Sequence, residues 1–125
     1  MTVSRGFLVV GPVYLIGGVL IGMYMGGSGD HALSPAHAHI NLLGFVLMMV
    51  FGLAYGRFPE AAASRLARVH FWLHQGGAII LSVMLVLLFS GKLSEEAMFP
   101  LAPLAELALL VGVVCFAANM WRHAT

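Results

Sequence analysis

The chain has 125 residues, of which 61% are hydrophobic and 9% charged, with a mean hydropathy of +0.97. That balance lies far above a soluble domain and predicts an integral membrane protein. A formal net charge of +1, with no basic patch interleaved with aromatics, excludes nucleic acid as a partner, and the single Cys115 inside the last apolar run excludes an internal disulfide or a Cys-rich metal site.

Four apolar stretches follow in chain order, at about 7–26, 35–55, 66–89 and 101–121. Each is near the roughly 20 residues a helix needs to cross a hydrocarbon core. Arg5 ahead of the first stretch is compatible with a secretory signal, but the stretch exceeds a usual signal core and no small-x-small cleavage site follows cleanly, so a retained helix is expected. Gly26-Gly27-Ser28-Gly29-Asp30 ends it. Ser34 then offers an N-cap, with Pro35 at the first helical position, where its missing N–H leaves no bond unmade. Pro59 ends the second helix and Ser90-Gly91-Lys92 the third. A polar loop from Ser94 leads through Pro100-Leu101-Ala102-Pro103 into the fourth. No strand alternation competes, so the expectation is one all-α domain of four transmembrane helices over 1–125.

Charge sets the orientation. Arg5, Arg57, Arg65, Arg68 and Arg122 fall at the N-terminus, the second loop and the C-terminus, while Asp30, Lys92, Glu95 and Glu96 fall in the other two loops. The positive-inside rule places both termini in the cytoplasm. Gly18, Gly22 and Gly26, and again Gly52 and Gly56, are spaced for close helix contact, within the chain or between copies.

Ionisable groups inside a membrane span are costly, which makes each a functional candidate. His37 and His39 lie near the start of the second helix. At about 100° per residue their rings point roughly 200° apart, so that one helix can serve two centres; the bland alternative is a pair of interfacial side chains at a helix start. His70 and His74 are four apart, on one face of the third helix, a spacing usable by one metal ion. Beside Arg68 and Trp72, His70 reads as an interfacial group, with His74 deeper. Glu106, at the depth of His37 and His39, is a candidate to orient an imidazole from behind, as is Asn41, although the carboxylate can equally reach the outer interface. Asn41 and Asn119 read mainly as interhelical hydrogen bonds, His31 and His123 as solvated. The pairs Met23/Met25 and Met48/Met49 read as filler, because a copper-thioether site needs other ligands around them.

Three stretches taken together resemble subunit I of the heme-copper oxidases: Ala36-His37-Ala38-His39-Ile40-Asn41-Leu42-Leu43-Gly44-Phe45, then Phe51-Gly52-Leu53-Ala54-Tyr55-Gly56-Arg57-Phe58-Pro59, then Leu66-Ala67-Arg68-Val69-His70-Phe71-Trp72-Leu73. In that family the tenth helix carries a His-x-His motif, closes in an aromatic turn with proline, and passes through a short basic loop into a helix opening with a His-Phe-Trp-Leu-like sequence. The likeness covers about 35–77; the first and fourth helices match by hydrophobicity and count alone. It implies that His37 and His39 are axial heme ligands, the family's first histidine serving the high-spin and its second the low-spin heme. His70 matches a position that is not a ligand, and His74 departs from the pattern.

Family subunit I has twelve helices in pseudo-threefold symmetry, so the resemblance implies that this chain supplies one third and that a homotrimer restores the set, each heme held by His37 of one protomer and His39 of its neighbour. The chain lacks the His-Pro-Glu-Val-Tyr-like sequence and the adjacent histidine pair that hold the family's copper, which argues against a complete oxidase; no catalytic residue is expected. The implied protein is a noncovalent heme b carrier of a bacterial inner membrane, working with a redox partner in electron transfer or in redox or gas sensing. Two other classes stay open: a copper or zinc binding or transport protein using His37, His39 and Glu106, and a cofactor-free accessory subunit of a respiratory complex.

Overall fold

The computed structural model describes residues 1–125 and is helical throughout, without strands. Four helices are long and apolar enough to cross a membrane: α1 (Val3–Ser28), α2 (Ser34–Arg57), α3 (Arg65–Phe89) and α4 (Leu101–His123). Several boundaries have a local cause, although Ser34, expected to cap α2, makes no capping bond and turns its hydroxyl to the Met25 sulfur instead. Thr2 caps α1 by accepting from the Arg5 N–H at 3.1 Å, and Ser64 caps α3 by accepting from Ala67 N–H at 3.1 Å. Gly29, at φ 73°, closes α1 by returning its N–H to the Met25 carbonyl. Pro59 stops α2 and starts a single turn, Pro59–Ala62. Pro12 lies within α1 without ending it, as membrane helices tolerate when neighbours and local adjustment absorb the freed carbonyl.

The helices pair as α1 with α2 and α3 with α4, and the pairs meet where α3 crosses α1 and the first half of α2. Small residues set these contacts. Ser4 Oγ donates to the Gly52 carbonyl at 2.8 Å, an approach possible only because Gly52 has no side chain. On the other side Gly77 lies against the Ala105 backbone and Leu109. The glycine spacing therefore serves contacts within the chain: Gly18, Gly22, Gly52 and Gly56 all face side chains of the neighbouring helix, whereas Gly26 meets nothing.

Phe7, Met48, Phe51 and Tyr55 fill the centre, with small and apolar residues of α3 and α4 around them. Only 26 of the 125 residues are buried, so most of the apolar surface faces outward, as expected of helices whose solvent is lipid or another copy.

One irregularity shapes the interior. From Ile40 to Val46, α2 widens into a π-helix, and the Leu47 N–H reaches the Leu42 carbonyl five residues back. The Leu43 carbonyl, which an α-helix would have given to Leu47, is left for another donor.

Candidate functional site

His39 sits one turn into α2, and its ring is exposed. Nδ1 lies 2.7 Å from the Pro35 carbonyl. A carbonyl only accepts, so Nδ1 carries the proton and Nε2 keeps its lone pair. Proline at the helix start contributes to this indirectly, by fixing the first turn whose carbonyl orients the ring. Below His39 on the same side, Leu42 and Val46 are 52% and 45% exposed and extend an open apolar strip.

His37 faces the other way. It is half-buried against α1, over Gly22, where an added Cβ would lie 3.1 Å from its Cε1. Asn41 Nδ2 approaches His37 Nε2 at 3.2 Å, one turn along the same helix. Asn41 in turn lies on Gly18 so closely that a methyl group there would overlap its amide oxygen. The divergence of the two rings follows the expected helical geometry. Asn41, expected to bond between helices, instead packs against α1 while bonding to its own helix. His37 Nδ1 and Asn41 Oδ1 are both buried without a partner.

His70 and His74 occupy a different place from the one their neighbours suggested. Both are fully enclosed. His70 is not an interfacial group: its ring centroid is 4.4 Å from that of Phe51, 5.2 Å from Phe7 and 5.4 Å from Phe116, and its Nδ1 is 2.8 Å from the Tyr55 hydroxyl. His74 stands 5.2 Å from Phe51 and donates Nε2–H to the Leu43 carbonyl at 2.9 Å. This is the carbonyl that the π turn releases, so the irregular backbone and the buried imidazole satisfy one another. His70 Nε2 and His74 Nδ1 have no partner. The two rings lie 5.9 Å apart, edge to face, as parts of an aromatic core.

Glu106 is exposed on α4, which packs on α3, and no hydrogen bond joins it to His37 or His39 within the chain. No three His, Cys, Asp or Glu side chains converge within one chain, so His37, His39 and Glu106 do not form a metal-binding cluster there. Asn119 is the interhelical tie it was expected to be, donating to the Ala61 carbonyl at 3.0 Å and fastening the end of α4 to the loop after α2. His31 and His123 bond to the backbone carbonyls of Gly29 and Asn119.

The sequence reading missed the box of Phe7, Phe51, Tyr55 and Phe116 around the buried histidines, and the Leu43 carbonyl. Aromatic residues at these positions do recur one helical turn apart, Phe51 to Tyr55 and His70 to His74, and that spacing was the available signal. Set against protein-family models, curated proteins and solved structures, the chain matches none.

Proposed function

We propose that this chain is a heme b-binding protein of a bacterial inner membrane, with both termini cytoplasmic, related to heme-copper oxidase subunit I and assembling as a homotrimer in which copies share bis-histidine heme. Its role in this reading is electron transfer, or redox or gas sensing, in contact with a redox partner.

The observation that carries the reading is His39: an exposed imidazole whose Nδ1–H is tied to the Pro35 carbonyl and whose Nε2 is free to bind iron. Leu42 and Val46 supply apolar surface beside it, which a porphyrin needs. His37 fits less directly. To serve a heme outside its own chain, its ring must leave Asn41, a loss of about 1 kcal/mol for one neutral hydrogen bond. A heme held by His37 and His39 would supply one-electron transfer. The protein's part is to hold the His39 ring in one tautomer and to keep water away with the apolar faces of α1 and α2.

The visible spectrum of the detergent-purified protein, oxidised and dithionite-reduced, tests this. Sharp alpha and beta bands on reduction are the expected result. A featureless spectrum refutes it and moves metal binding or a cofactor-free subunit to the front.

A further inference from the structure

The leading half of α2, which carries His37 and His39, joins the rest of the helix through the π turn Ile40–Val46. A π turn takes up one residue more than the α-helix it interrupts. Closing it to α would turn everything ahead of Ile40 by about 100° and shift it by about 1.5 Å along the axis. Each leading residue would then take the place its predecessor holds now. Ala38, exposed at present, would replace His37 over Gly22, and Ala36 would leave its fully buried place for the exposed one of Pro35. Both imidazoles would point elsewhere.

Two side chains from other helices hold the turn open. Tyr14 of α1 packs on Gly44, where any side chain would overlap its ring. From α3, His74 donates to the Leu43 carbonyl at 2.9 Å. That carbonyl is the one a closed α-helix would give to the Leu47 N–H, which bonds to Leu42 here. A carbonyl without a donor is unfavourable in an apolar interior, so the wide form depends on His74 while the α form does not.

We propose that His74 is a positioning residue: by serving the Leu43 carbonyl it keeps α2 one residue out of α register, and so sets the direction in which His37 and His39 point. The inference concerns the direction of the rings and holds whether or not they bind heme.

The test uses the full chain in detergent with Cys115→Ser and one added cysteine, Ala36→Cys or Ala38→Cys. Each thiol's rate with a small maleimide, normalised to the unfolded chain, reads the register. His74→Leu removes the donor. His74→Gln loses the same ring contacts but keeps an N–H donor near the position of Nε2. Removing Leu42, 52% exposed within the π turn, takes out the surplus residue and lets an α-helix run on without turning the leading half.

Expected is faster labelling of Ala38→Cys than of Ala36→Cys in the wild type and in His74→Gln, and the reverse order in His74→Leu. Removing Leu42 from His74→Leu should restore the wild-type order, and removing it from the wild type should leave the order unchanged. Equal labelling of the two sites in the wild type overturns the proposal. So does an unchanged order in His74→Leu, or the same reversal in His74→Gln, either of which leaves His74 a packing residue alone. A reversed order on removing Leu42 from the wild type overturns it too. Should His74→Leu fail to fold, removal of Leu42 must recover a folded chain with the wild-type order, and no recovery overturns the proposal.

Discussion

Replacing His74 by alanine removes a ring that the structure encloses completely and strands the carbonyl it serves. His74 is 0% exposed between Phe7, Phe51 and His70, so the lost contacts are of the size removed when a buried aromatic becomes alanine, about 3–5 kcal/mol. The Leu43 carbonyl then has no donor, which adds about 1 kcal/mol in a membrane interior. The sum, about 4–6 kcal/mol, is a large part of a native margin of about 5–15 kcal/mol and corresponds to a fall in Tm of about 15–25 °C. Cys115, the only cysteine and half-buried on α4, reports unfolding through a thiol-reactive fluorogenic dye during a thermal ramp in detergent. His39→Ala is the comparison: its ring is exposed and holds one bond to its own helix, so its effect on apoprotein stability is about 1 kcal/mol or less. A His74→Ala variant melting within about 3 °C of wild type, or no more labile than His39→Ala, would show that His74 is not the core residue described here.

Other consequences follow from the same contacts. Tyr55→Phe keeps the ring against Phe7 but leaves His70 Nδ1 without a partner, and should lower stability by about 1 kcal/mol in the same melt. Gly18→Ala places a methyl group on the Asn41 amide and should lower stability by about 1–3 kcal/mol, whereas Gly26→Ala, in open space, should be neutral or slightly stabilising; equal melts for the two would refute the α1–α2 packing.

Composition and punctuation made the four spans legible before any coordinates, because a 20-residue apolar stretch in a short chain has few other uses and Gly29 and Pro59 stop helices for local steric reasons. The His37 and His39 rings diverge as 3.6-residue periodicity requires. The same periodicity, applied to His70 and Trp72, turns one inward as the other faces out: Trp72 is 72% exposed and His70 fully buried. Reading both as interfacial took the interface from Trp72 and overlooked the 200° between them. The π turn had no sequence signal, because its wide hydrogen bonding goes with a tertiary partner, His74, thirty-one residues away. Asn41 was misplaced for a related reason: its neighbour on α1 is a glycine, which offers room and no partner.

The most direct test of a heme shared between copies is heme content in oligomers formed by co-expressing His37→Ala and His39→Ala chains. Each variant alone should bind no bis-histidine heme. Mixed at equal levels they should recover about a quarter of the wild-type amount, the chance that a random neighbouring pair supplies both rings. Heme retained by His39→Ala alone, or none recovered in the mixture when the wild type is loaded, would contradict ligation across the protomer boundary.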